Sequence, residues 1–208
     1  GNMGLIAKRC FPNATQVIDR FHVHQLATEA LQEIRIKHRW EALEAENEAI
    51  EMAKKGKLNF EPKLLDNGDS LKQLLARSRY LLYKSEHNWT NEQEQRARIL
   101  FNRYPDIEVA YQLTQKLSWI FNHTKDKIYA FTRLAKWHEK VEQAGFKSFN
   151  TLSRTIINHH KSILNYFDNF STNASAESFN AKIKAFRAQY RGVGNINFFL
   201  FRIAKLYA

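Results

Sequence analysis

Residues 24–53 contain few helix breakers, and Leu26, Ala30, Leu31, Ile34, Leu43 and Ile50 give them an approximate helical stripe. A stretch of that length without a turn signal reads as one long helix, since strands are far shorter. The same texture continues along the chain. Residues 54–70 hold two glycines, one proline and the run DNGD, the composition of a connector. A second helix is expected over 71–83. Thr90 with Gln93 three residues on is a capping box for a third, which should end near Tyr104 because Pro105 follows.

Beyond the proline, Ala110, Leu113, Leu117, Ile120 and Phe121 recur at helical spacing, and so do Ile128, Phe131, Leu134, His138 and Val141. A break between the two is expected at 123–126. Gly145 punctuates the chain, and Leu152, Ile156, Ile157, His160 and Leu164 carry the pattern into another helix. A helix over 173–190 and an apolar one over 196–207 flank the run GVGN. Near the start, a short helix over 3–9 ends before Pro12. TQVID at 15–19 is rich in strand formers and reads as the one strand. A strand alone leaves its edge groups unsatisfied, so its neighbours are expected upstream of residue 1.

Composition settles fewer questions. A hydrophobic fraction of 44%, with 15 Phe, 8 Tyr and 4 Trp, excludes a disordered tail. Lys and Arg outnumber Asp and Glu by 32 to 21, a formal charge of +11, which favours a polyanionic partner, nucleic acid first. The single cysteine, Cys10, excludes an internal disulfide and a thiolate zinc site. No apolar run approaches the roughly 20 residues that span a bilayer, and no signal peptide opens the chain, so a cytoplasmic, nucleoid-associated location is expected. The opening GNMGLI reads as the interior of a longer protein.

Two stretches carry candidate chemistry. Along 173–191, Ala176, Phe179, Ile183, Phe186 and Tyr190 fall on one helix face. Asn173, Glu177, Asn180, Lys184, Arg187 and Arg191 fall on a neighbouring face, offset by roughly 90°. A carboxylate flanked by amides and followed by cations suits one ligand to a divalent metal with bases nearby for phosphate oxygens. It equally suits an ordinary solvated face on which Glu177 offsets the helix dipole. Asp19 and His22 close the strand, where α/β folds place functional groups. Either His22 or His24 has proton-transfer or ligand capacity, while a backbone or carboxylate partner for the imidazole is the plainer reading. His159 and His160 read as surface or helix-packing residues.

Taken together, FPNATQVIDRFHV at 11–23, LLYKSEHNWT at 81–90 and NASAESFNAKIKAFRAQYRG at 173–192 resemble the bacterial insertion-sequence DDE transposases. The catalytic domain of that family is ribonuclease H-like and is interrupted by a helical insertion before its final glutamate. The resemblance implies a mostly α chain with a residual β-strand, a partial ribonuclease H-like α/β fold. Residues 1–24 would belong to the core, 25–165 to the insertion, and 166–208 to the C-terminal core helices. It implies that Glu177 is the final catalytic acid and metal ligand, and that Asp19 and His22 are the accessory Asp-x-x-His signature. Asn173 and Asn180 would position Glu177, and Lys182, Lys184, Arg187 and Arg191 would contact the DNA. Both triad aspartates would lie upstream, so the chain alone would not cut DNA.

The implied partners are double-stranded DNA, as transposon ends and target, and further copies of the chain. Magnesium or manganese would be the cofactor of the full-length protein, bound by this portion without tightness. Trp89, Trp119 and Trp137 would stack on bases if exposed and otherwise serve the core. Two other functions compete: a noncatalytic helical DNA-binding or transpososome-assembly module, and a complete metal-dependent nuclease using Asp19, Glu177 and a third acid such as Asp168.

Overall fold

The computed structural model describes residue 13 and residues 15–170, 174–189 and 193–207. The expected helix over 3–9 and Cys10 lie outside the described residues. Within them the protein is mostly helical and contains no strand.

TQVID at 15–19 is therefore not a strand, which corrects the sequence expectation. No neighbouring strand stands beside it among the described residues, and its backbone groups bond to helical segments instead. The Ile18 N–H donates to the Ser162 carbonyl at 2.9 Å, and the Asn165 side-chain amide donates to the Gln16 carbonyl at 3.0 Å. Val17 and Ile18 pack against the helical core, so the β-branched residues that suggested a strand serve burial.

The first helix, α1, spans Arg20–Lys55, 36 residues, beginning four positions before the sequence pattern suggested. Asp19 caps it, and Lys54 and Lys55 sit favourably at its negative end. Its buried residues are Val23, Ala27, Thr28, Ala30, Leu31, Gln32 and Arg35, whereas Leu26, expected on the apolar stripe, is 40% exposed. A connector follows, with a tight turn at Gly68, whose φ of 77° requires glycine.

Helix α2 (Leu71–Arg77) starts with a capping box between Ser70 and Gln73. The sequence suggested that it continues to residue 83; instead it stops at Arg77. The buried Ser78 hydroxyl donates to the Leu74 carbonyl at 2.6 Å, and Leu81–Tyr83 forms a 3₁₀ turn that buries Leu81 and Leu82. Helix α3 (Asn91–Arg103) has the Thr90–Gln93 capping box, and Pro105 opens α4 (Pro105–His123) at its first turn, where a missing N–H costs nothing. Helix α5 (Lys127–Ala144) is capped by Asp126 and ends at Gly145, φ 72°.

The buried face of α5 is Ala130, Leu134, Trp137 and Val141, while Ile128 and Phe131, expected to be inside, are 76% and 56% exposed. Trp137 fixes this rotation: it is fully buried and its indole N–H donates to the Leu113 carbonyl at 2.9 Å. Helix α6 (Lys147–Asn158) breaks at His159 before the short α7 (His160–Leu164) and α8 (Tyr166–Asn169). The single helix suggested over 152–164 is thus two. His159 and His160 are on the surface as expected.

Helices α1 to α8 surround one core, with α1 packed on α2, α4 and α6. Helices α1 and α4 run antiparallel, as three contacts show. Arg20 Nη1 donates to Asn122 Oδ1 at 2.5 Å, Thr114 Oγ1 to the Ala27 carbonyl at 3.4 Å, and His38 Nε2 lies 2.6 Å from Asp106 Oδ2. Ala27 of α1 and Ala110 of α4 have no exposed surface.

The fully buried Asp69 ends the connector. It accepts from Arg96 Nε at 3.0 Å, from Asn67 Nδ2 at 2.9 Å and from Arg77. Burial pushes its carboxyl pKa up, but the hydrogen bonds and charges of Arg96 and Arg77 outweigh burial and hold it below the usual carboxylate value.

The chain divides after Asn169 into a second compact unit, Phe170–Ala208. It contains α9 (Ala174–Gln189) and α10 (Ile196–Tyr207). Phe186 of α9 meets Phe199 of α10 with ring centroids 5.6 Å apart. Helix α10 exposes Ile196, Phe198, Leu200, Phe201 and Leu206.

Candidate active-site segments

Asp19 and His22 come together, but at a helix start rather than at the end of a strand. The Asp19 carboxylate accepts the backbone N–H of His22 at 3.1 Å, and His22 Nδ1 lies 3.1 Å from the same Oδ1. Asp19 is buried and the His22 ring is largely exposed. An Asp-x-x-X spacing is what an N-cap needs to reach the third helical N–H, so capping is one role of Asp19, and the paired imidazole is an addition to it. Asp19→Ala is expected to cost about 1 kcal/mol of stability and Asp19→Asn, which still accepts the N–H, a few tenths. Urea denaturation of both variants tests this; equal losses would mean that the charge on Asp19, not the cap, matters.

Glu177 lies in the first turn of α9, in the second unit. The side chains of Glu177 and Asn180, and Asn173 and Arg191 altogether, lie outside the described residues. Lys182, Lys184 and Arg187 stand exposed along α9 and Phe186 is buried; Lys184 and Arg187 point away from Phe186, whereas Lys182 lies one turn before it on the same side. Asp168, the third acid of a self-contained nuclease, pairs with Lys127 at 2.8 Å. Among the described residues no group of three or more His, Cys, Asp or Glu side chains is placed to hold a metal ion.

Sequence reading missed a groove beside the start of α1. Two adjoining cavities, about 520 and 330 Å³, share Ser85, Gln115, Ser118 and Asn122. One wall is the first turn of α1, with Arg20, Phe21 and His24; the other is α4. The signal was present in α4 as the polar series Gln115, Ser118, Asn122, spaced three and four apart beside the apolar stripe. Burial lowers the His24 pKa and the Arg20 charge adds to the effect, so this imidazole is neutral near pH 7.

The three tryptophans divide as burial dictates. Trp137 is core, and Trp89 donates to the Leu81 carbonyl at 2.8 Å within an aromatic cluster with Phe101 and Tyr111. Trp119 is 39% exposed, but His123 stacks on it at 5.2 Å and Lys116 and Arg133 lie over its ring at 4.3 and 4.8 Å.

A family model described as a transposase matches residues 2–203. The chain is an insertion-sequence DDE transposase sequence, and DNA ends are therefore its partner class. Within that class it belongs to the ISL3 family. No curated protein and no solved structure gives a significant match. No helix among the described residues is long and apolar enough to cross a membrane.

Proposed function

We propose that this chain supplies the final acid and the helical insertion of a ribonuclease H-like catalytic domain that cleaves transposon ends and joins them to target DNA. The observation that carries the reading is the family match over residues 2–203, which contains both the Asp19–His22 pair and Glu177. In this reading residues 1–24 and 166–208 belong to the catalytic core and 25–165 to the insertion.

Glu177 is the right kind of donor for magnesium or manganese, a hard oxygen ligand, and one carboxylate is too few to hold either. Asp19 is committed to its cap and His22, and Asp168 to Lys127. In this reading the metal site closes with two further acids from outside residues 1–208, and the chain alone does not cut DNA. When bound, the metal would neutralise charge on the transferring phosphate. Asn173 and Asn180 orient the Glu177 carboxylate by hydrogen bonding, and Lys182, Lys184, Arg187 and Arg191 contact the DNA backbone. Asp19 and His22 fix the start of α1, and with it the side chains its first turn presents. Further copies of the chain complete the assembly on paired ends.

Calorimetric titration of manganese tests the ligand assignment. Tight binding is expected only in a protein extended to include both other acids, and Glu177→Gln should abolish it. Equal, Glu177-dependent binding by the 208-residue chain would overturn the split site in favour of a complete nuclease.

A further inference from the structure

The groove between α1 and α4 has no part in the chemistry above, yet its lining is chemically specific. Phe21 is 64% exposed and Tyr83 41%, and both face the smaller cavity. Exposed rings at a recess are sites where another flat apolar group is missing. Gln115, Ser118 and Asn122 of α4 line the same cavity. The Ser118 Oγ has no exposed surface, so the amides of Gln115 and Asn122 are the polar groups this part of the groove offers.

Charge points the same way. Arg20 lines the smaller cavity and Lys116 the larger, with Glu86 the one carboxylate on either lining. An anion with a planar, hydrogen-bonding, stackable group is a nucleotide. A double helix is too broad for recesses of this volume, whereas pockets of roughly 300–1,000 Å³ suit small-molecule-sized groups. A paired base also keeps its faces stacked within the duplex and out of reach of Phe21 and Tyr83.

We infer that this groove seats one unpaired nucleotide of a DNA strand, with its base against Phe21 and Tyr83, its edge on Gln115, and its phosphate toward Arg20. The inference rests on the transposase reading and adds to it a single-strand site in the helical insertion. The Arg20–Asn122 contact places the cation at the groove mouth before any DNA arrives. Neutral His24 can accept a hydrogen bond from a base amino group, which an imidazolium cannot.

Fluorescence anisotropy with three labelled DNAs tests it: a flush duplex, the same duplex with a short unpaired overhang, and the overhang version made abasic. The overhang is expected to bind about tenfold tighter than the flush duplex, within the range stacking on aromatic side chains gives. The abasic overhang should match the flush duplex. Phe21→Ala and, separately, Tyr83→Ala should bring the overhang-to-flush ratio near one; both rings are exposed, so the fold should survive, and circular dichroism melting checks that it does. Equal affinity for flush and overhang duplexes, an abasic overhang as good as a basic one, or an unchanged ratio in both variants would each overturn the site while leaving duplex binding intact. Binding to none of the three DNAs would instead remove the DNA-binding reading of this chain, and the groove assignment with it.

Discussion

In the assembled transposase, Glu177→Gln should reduce end cleavage and strand transfer on the order of a thousandfold or more while leaving DNA affinity close to that of the parent. The glutamine keeps the length and shape of the side chain and removes its charge, so helix α9 and its row of Lys182, Lys184 and Arg187 remain. What is lost is one hard anionic ligand, and phosphoryl transfer depends on charge neutralisation that an amide does not give. Cleavage of labelled transposon ends, with binding to the same DNA followed in parallel, separates the two effects. A Glu177→Gln protein that cuts normally would return Glu177 to the role of a helix-dipole partner.

The second large effect is on stability. Arg96→Met is expected to cost about 3 kcal/mol at neutral pH, because it strips the fully buried Asp69 carboxylate of its better-shielded cation. Arg77 remains, but its side chain is 56% exposed and screened by water, so it compensates little. The pH dependence has a definite sign. Asp69 has a folded-state pKa below its unfolded value, so its contribution is fully present above the ordinary carboxylate value of about 3.9 and fades as pH falls through the lower, folded one. Urea unfolding from neutral into acid should therefore show the parent protein losing this increment in acid, and Arg96→Met lacking it throughout. A variant as stable as the parent at neutral pH would mean that Asp69 is buried without dependence on Arg96.

Much of this fold is legible from local chemistry. Thr90 with Gln93, Pro105 after Tyr104, and Gly145 each mark a helix boundary by a rule that acts over four residues, and each boundary lies where the rule places it. What failed was tertiary. Val17 and Ile18 satisfy a strand pattern and a buried-coil pattern equally well, and only the Ser162 carbonyl and the Asn165 side chain decide between them, from about 150 positions away. The face of α5 was misread because Trp137 and Ala130 take the inside positions that Phe131 and Ile128 claimed by hydrophobicity.

The candidate site divides in the same way. Asp19 and His22 are near neighbours in sequence, and their contact follows from the cap. Glu177 came from a resemblance, since a lone carboxylate in a first helical turn has a sufficient explanation in the dipole. The groove was overlooked because its walls come from α1, α4 and a 3₁₀ turn, and only the α4 share of it has a readable period.

The packing of α1 on α4 has a further consequence. Neither Ala27 nor Ala110 has exposed surface, and the Thr114 hydroxyl of α4 donates to the Ala27 carbonyl of α1 at 3.4 Å. The groove opens farther along the same two helices, about two turns from Ala27 on α1 and more than three from Ala110 on α4, and neither alanine lines it. A larger side chain at position 27 would push α4 away from α1, and with it the groove wall that α4 supplies, from a position outside the lining. Selectivity for strand ends is therefore expected to respond to the size of residue 27 as well as to the residues that line the groove.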